Sequence, residues 1–185
     1  SGLDDVLKFM KKDHDLAQAY QAIDRLHGAG LIYDAHIMTG VAGKGRGMEN
    51  AEALAQFLNR TNPAHVVNFS MFLHKEVPLY QDIRQGTFVP ADELETIREE
   101  YHLIERIAPE KAGANILYDG FHDFIHVRVR GHLPGDKEKM LAKLNGIIQE
   151  YEGKEPVYSF VQGECPDLEY CDDGKAVWDM DRKTS

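Results

Sequence analysis

Apolar residues recur at helical spacing from the first positions of the chain. Leu3, Val6, Leu7 and Met10 share one face and predict a short helix over residues 3–11. A second stripe, Leu16, Ala19, Tyr20, Ile23 and Leu26, predicts a helix that Asp13 or Asp15 caps and that Gly28 and Gly30 stop near His27. The period then changes. Residues 31–39 read as a strand running into the loop GVAGKGRG at 40–47. Ala51, Leu54, Ala55 and Leu58 define the inner face of a helix over 48–60, and Pro63 breaks it. The run 65–73 is mostly apolar and suits a parallel strand covered on both faces.

Pro78 opens a short helix that Gly86 stops, and Pro90 opens a long one reaching about Ile107. Extended pieces follow at 114–117 and 124–129, then a helix at 136–151; beyond Gly153 the periodicity fails. Strands separated by helices imply parallel pairing through right-handed crossovers. Only three runs read as convincing strands, whereas a closed β/α barrel takes eight strands and about 250 residues. The expected fold class is therefore α/β: a partial β/α barrel, about half of one, with parallel strands and flanking helices. Residues 1–152 are expected to form it, with 153–185 as a polar C-terminal extension. The amphipathic pattern begins at once, without a methionine, as expected of a domain cut from a longer chain.

Composition narrows the function classes. Apolar residues are 43% and charged residues 28%, which is ordinary for a globular protein. The net charge of −10 argues against nucleic acid as a partner of this piece. No apolar run approaches the roughly 20 residues that span a bilayer, so no membrane role is expected. Cys165 and Cys171 are too few for a disulfide scaffold, and a reducing cytoplasm is the simpler setting.

The glycine-rich loop carries the strongest chemical signal. Gly40, Gly43, Gly45 and Gly47 follow a strand, precede a helix and interleave Lys44 and Arg46, a pattern that turns backbone N–H groups toward an anion. The phosphate-loop spacing fails, because Gly45 follows Lys44 where Ser or Thr is needed, and the dinucleotide fingerprint is out of register. His122 and His126 are four apart, but the alternation of Val127, Arg128, Val129 and Arg130 is that of a strand, which separates them too far for one metal. Cys165 and Cys171 lack third and fourth ligands. The acidic stretch 92–105 reads as a solvated helix face with Arg98 and Glu105 outward, and Leu31, Ile32, Phe69, Met71 and Phe72 read as core.

Several segments together carry a family likeness. SGLDDVLK at 1–8 resembles the segment after the fourth strand of radical S-adenosylmethionine (SAM) enzymes, and 17–30, ending LHGAG, resembles the helix that follows. The loop 40–49 resembles the one after the fifth strand. Asn62-Pro63 with its strand, then PLYQD at 78–82 and GTF at 86–88, resemble the sixth strand and its sequel. LPGDKEKM at 133–140 resembles the start of the final helix. The likeness runs to about Tyr151 and is nearest in style to the oxygen-independent coproporphyrinogen oxidase-like and elongator-type members. It implies a partial barrel of six β/α units and a 4Fe-4S cluster on a Cys-x-x-x-Cys-x-x-Cys loop, which cleaves SAM into methionine and a 5′-deoxyadenosyl radical. This chain has no such cysteine motif. The implied parent therefore holds SAM and the cluster, its missing N-terminal half is the first partner, and no cofactor is expected on this chain alone. Of the fifth-strand pattern Gly-x-Ile-x-Gly-x-x-Glu, mapped onto His36, Met38, Gly40 and Gly43, only Gly40 matches.

Ligands of open α/β sheets sit at the carboxyl ends of strands. The expected SAM contacts are accordingly Met38 and Gly40 on one strand and Phe69, Ser70, Met71 and Leu73 on the next, with Arg46 as the better carboxylate fork of the loop. Two rival readings remain: a small α/β module holding an anionic metabolite in the 40–47 loop, and a structural domain whose open sheet edge pairs with another chain or with itself.

Overall fold

The structure, a computed structural model, describes residues 1–160 together with 171–172 and 175–176. Strands β1 (Asp34–Thr39), β2 (His65–Ser70), β3 (Ile116–His122) and β4 (Val127–Leu133) form one sheet in that order. The first three are parallel; β4 returns antiparallel beside β3 through residues 123–126, where His126 takes a left-handed φ of 56°. The helices are α1 (Asp4–Phe9), α2 (Leu16–Gly28), α3 (Gly47–Thr61), α4 (Pro78–Arg84), α5 (Glu93–Arg106) and α6 (Lys137–Tyr151). The last described elements are a two-residue ladder of β5 (Cys171–Asp172) and β6 (Lys175–Ala176). Cys165 and its surroundings lie outside the described residues.

Local chemistry explains the boundaries. Asp15 accepts from the Gln18 N–H while the Gln18 side chain accepts from the Asp15 N–H, a reciprocal cap that starts α2. Asp92 accepts from the Glu95 N–H and starts α5 two residues beyond Pro90. Asn62 closes α3 in the left-handed conformation.

The two faces of the sheet differ sharply. Ala35, Ile37, Val66, Ile116, Tyr118, Val127, Val129 and Leu133 point to one side, and Leu54, Leu58, Ile97, Leu103, Ile104, Met140 and Leu144 of α3, α5 and α6 close over them. By the alternation of strands, Met38, Phe69, Phe121 and Arg128 point to the other side, away from α3, α5 and α6; of these four only Met38 packs against the second core. A second core sits at the carboxyl ends of β1 and β2, where Val6, Val41, Ala42, Met71, Leu73, Tyr80, Ile83 and Phe88 meet Tyr158 and Phe160. Residues 157–160 turn back onto the molecule: Leu73 N–H donates to the Ser159 carbonyl (2.7 Å), and Glu93 N–H to that of Val157 (2.8 Å).

Two expectations need correction. β2 is not covered on both faces: Phe69 is 38% exposed, because all covering helices lie on one side. Leu31 and Ile32 are not core but 55% and 83% exposed, since β1 begins only at Asp34; Phe72, just beyond β2, is 47% exposed. The fourth extended piece, for which the sequence set no pairing, is an antiparallel hairpin partner of β3, because four residues cannot make a crossover.

Candidate functional site

Helix α5 places its carboxylates where apolar side chains are usual. Positions 93, 96, 97, 100, 103 and 104 form one inward stripe, so Glu93 and Glu100 sit two turns apart facing the sheet, with Glu99 beside them. The expected solvated acidic face is thus overturned: Glu93, Glu99 and Glu100 are no more than 1% exposed, whereas Arg98 and Glu105 do point outward. Space for the Glu100 carboxylate comes from Gly120 of β3, where a Cβ would collide with Oε1.

Each carboxylate holds the end of a strand. His122, closing β3, places Nδ1 3.1 Å from Glu93 Oε2 and Nε2 2.9 Å from Glu100 Oε2. Glu93 Oε1 accepts from Ser70 Oγ (2.7 Å), at the end of β2, and from Ser159 Oγ. Glu100 Oε1 accepts from Tyr118 OH (2.9 Å) and Asn68 Nδ2 (3.0 Å). Glu99 Oε2 accepts from the Gly40 N–H (2.8 Å), just past β1, and its Oε1 from Asn50 Nδ2 (2.6 Å). One helix therefore ties down the carboxyl ends of all three parallel strands.

Charge follows from this geometry. Both His122 nitrogens face carboxylates, so both serve best as donors and the ring is an imidazolium. Burial opposes that charge, but the Glu100 and Glu93 carboxylates outweigh it and push the imidazole up to about 10. Glu93 is held below its ordinary value: burial raises it, but His122, Ser159 and Ser70 more than offset this. Burial lifts Glu99 to about 7, against the bonds from Asn50 and Gly40.

The glycine loop is already satisfied from within. Gly40, Gly43 and Gly45 have φ of 79°, 82° and 80°, which explains the residue type. Their donors, however, go to the chain itself: Gly40 N–H to Glu99, Gly43 N–H to the Gly40 carbonyl (3.1 Å), Lys44 N–H to the Val89 carbonyl (2.8 Å) and Gly45 N–H to Glu95. Arg46 turns to Asp5 through Nη1 (2.7 Å) and to Glu49 through Nε (2.8 Å). Beside the loop lies a cavity of about 400 Å³ lined by Phe9, Val41, Lys44, Arg46, Phe88 and Val89.

The expected ligand contacts separate into two groups. Met38 and Phe69 are register partners on the face opposite α3, α5 and α6, Met38 packed against the second core and Phe69 exposed. Gly40 and Ser70 bond inward to Glu99 and Glu93, Met71 is buried, and Leu73 lies under residues 159–160. The same row of the sheet continues through Phe121 to Arg128, so that Met38, Phe69, Phe121 and Arg128 cross all four strands. The rings of Phe69 and Phe121 are stacked, with centroids 5.6 Å apart and planes within 15°. The Arg128 guanidinium carbon sits 4.7 Å from the Phe121 centroid. Arg128 also grips Asp119 at two points, Nε–Oδ1 2.8 Å and Nη2–Oδ2 2.7 Å, and Arg130 reaches the same carboxylate at 3.6 Å. Arg128 holds Asp119 below the usual carboxylate range. Sequence reasoning missed Asp119, Phe121, Arg128 and Arg130 as site residues. The alternation of 127–130 was their signal, since it puts both arginines on one face.

Among the described residues no group of three or more His, Cys, Asp or Glu side chains could hold a metal ion. No helix among them is long and apolar enough to cross a membrane. No family model matches the chain, and no curated protein does. Among solved structures, the chain is similar to an archaeal Elp3 from Methanocaldococcus infernus lacking its N-terminal residues 1–46, with 18% identity and a TM-score of 0.56. The match covers 81% of this chain and 34% of that one, so the chain spans about a third of its neighbour's length. At this identity the likeness is one of fold, a mixed α/β sheet of mostly parallel strands with flanking helices, consistent with a partial barrel.

Proposed function

We propose that this chain is a wall section of a radical SAM barrel and supplies strand ends that face SAM and substrate. The observation that carries the reading is the one-sided sheet. A free-standing parallel sheet buries both faces under helices, whereas a section of barrel wall carries helices outside and leaves its inner face to the lumen. Here α3, α5 and α6 cover one face, whereas on the other, among the described residues, Phe69 and Arg128 are exposed, Phe121 is half-buried, and Met38 packs against the second core at the strand ends. The fold likeness to Elp3, read as kinship, adds support for the elongator-type group.

In this reading Met38 and Phe69 offer SAM an apolar shelf at the carboxyl ends of β1 and β2. Gly40, Ser70, Met71 and Leu73 shape the backbone just beyond. Arg46 meets a carboxylate only by exchanging Asp5 or Glu49. The residues present do not fit the cluster, because the described part lacks a three-ligand set, so its ligands belong to preceding polypeptide. The chemistry such a cluster supplies is reductive cleavage of SAM to methionine and a 5′-deoxyadenosyl radical, as an Fe-S oxidoreductase of the cytoplasm would use it. The same preceding half supplies a strand for the outer edge of β1, which has no strand partner among the described residues. Anaerobic iron–sulfide treatment of the 185-residue chain should leave it colourless and inert to SAM, whereas the full gene product should bind both; a brown, iron-stoichiometric chain of 185 residues would refute this division.

A second reading, an anion-binding module, is favoured by the 400 Å³ cavity beside Lys44 and Arg46. It is the weaker one, because the loop amides that would cradle an anion are already bonded within the chain, two of them to Glu95 and Glu99. Titration with inorganic phosphate, followed at the Lys44 and Arg46 amides, separates the two.

A further inference from the structure

The sheet face opposite α3, α5 and α6 carries a distinctive set of side chains. Its row nearest the carboxyl ends is Met38, Phe69, Phe121, Arg128; the next is His36, Val67, Asp119, Arg130; the third is Asp34, His65, Leu117, His132. The first row is a column of plates seen edge-on. Two phenyl rings stack along it and a guanidinium closes its end over Phe121. Ring edges carry the positive part of the aromatic quadrupole, so a flat π-system lying across them meets two edge-to-face contacts. Beside these edges, Arg128 and Arg130 share one carboxylate, Asp119, which leaves one positive charge over.

Asp119 does not consume the donors. It takes Nε and Nη2 of Arg128 and only the Nε of Arg130 at 3.6 Å, leaving Nη1 of Arg128 and both terminal nitrogens of Arg130. The Arg128 fork is held by a carboxylate on one edge and a ring below, so little freedom is lost when it binds an acid. Strands lie about 4.8 Å apart. The centre of the Phe69–Phe121 pair and the Arg128 strand are therefore about 7 Å apart, one and a half spacings.

We infer that this face binds a small planar aromatic acid, with its ring across Phe69 and Phe121 and its anionic group at Arg128 and Arg130. The inference takes the position of the face inside a barrel from the function proposed above, and the ligand class from the side chains alone. A polyanion is a poor occupant: two arginines against one aspartate give no run of cations, and the whole chain is at −10.

The test uses the 185-residue chain and three probes: indole-3-propionate, tryptamine with the same ring and the opposite charge, and cyclohexanepropionate with the acid and no π-system. Ring and guanidinium NMR signals report contact. Indole-3-propionate should shift Phe69, Phe121 and Arg128 together and bind about tenfold or more tightly than either other probe. Phe69→Leu, Arg128→Lys and Arg130→Gln should each weaken it several-fold; because Arg130→Gln leaves the Arg128–Asp119 fork intact, weakening there is no folding artefact. Equal binding of tryptamine, shifts elsewhere on the chain, indifference to both Phe69→Leu and Arg128→Lys, or no shift at millimolar probe overturns the inference. So does concentration-dependent protection of the face without probe, which assigns it to a second copy. SAM turnover by the full gene product with no probe binding sinks this inference alone; probe binding without SAM turnover sinks the enzyme reading alone.

Discussion

Replacing His122 with leucine removes the one cation between two buried carboxylates. Glu93, Glu100 and the imidazole have side chains wholly shielded from solvent, and the ring bonds both acids, at 3.1 and 2.9 Å. Leucine fills most of the volume but returns neither charge nor hydrogen bonds. Breaking a buried ion pair by deleting one partner costs about 3–5 kcal/mol, because the remaining charge is stranded. The cost should depend on pH. Without the imidazolium, burial drives Glu93 upward and it escapes by taking up a proton, so the loss is largest near pH 7 and shrinks near pH 5. Urea unfolding at the two pH values, with unchanged m, measures both numbers. Adding Glu100→Leu to His122→Leu should recover part of the loss, since an apolar replacement of the whole pair strands less charge. A loss under about 1 kcal/mol at pH 7 would contradict the reasoning, given the penalty for an unpaired buried charge. So would an equal loss at both pH values, which would point to packing alone.

The same groups fix the pH dependence of the wild-type chain. His122 is raised from 6.5 to about 10, so its contribution is complete below the unfolded value and disappears as pH rises through 10. Glu99 is raised from 4.5 to about 7, so its contribution is complete below 4.5 and disappears as pH rises through 7. Thermal unfolding should therefore weaken steadily on the alkaline side, and His122→Leu should flatten the limb between 7 and 10. Gly43→Ala should destabilise more than Gly45→Ala: both force alanine into a left-handed φ, but a Cβ at 43 meets the Val89 carbonyl at 2.9 Å while one at 45 meets nothing. Equal losses, read by denaturant unfolding, would show that the Val89 carbonyl yields freely. The edge of β1, which has no strand partner among the described residues, should make the 185-residue chain self-associate with rising concentration in sedimentation; a strict monomer throughout would mean that the edge is covered within the chain.

Most of the scaffold is legible in the chain. The inner faces of α2 and α3, the Asp15 cap and the parallel order of three strands follow from local spacing. The acidic spine of α5 does not. A carboxylate gives no apolar signal, so Glu93, Glu99 and Glu100 read as a wet face; what carries them inside is His122, 29 and 22 residues away, and Asn50, 49 away from Glu99. The sheet face away from α3, α5 and α6 is hidden for the opposite reason. Phe69 looks like core because apolar content cannot say which sheet face the helices will cover. The glycine loop was legible as backbone and misleading as chemistry: its positive φ angles are real, but Glu95 and Glu99 already fill the role of the anion.

A SAM-facing wall of a radical enzyme, the role proposed for this chain, has a direct chemical readout. The gene product that carries this sequence, reconstituted anaerobically with iron and sulfide and reduced, should convert SAM to methionine and 5′-deoxyadenosine. Gly40→Val, at a φ of 79° and with its Cβ 3.1 Å from Thr96 Oγ1, should abolish that product while the iron content stays unchanged. Absence of 5′-deoxyadenosine from a fully loaded wild-type protein, or its undiminished formation by the Gly40→Val variant, would contradict the account.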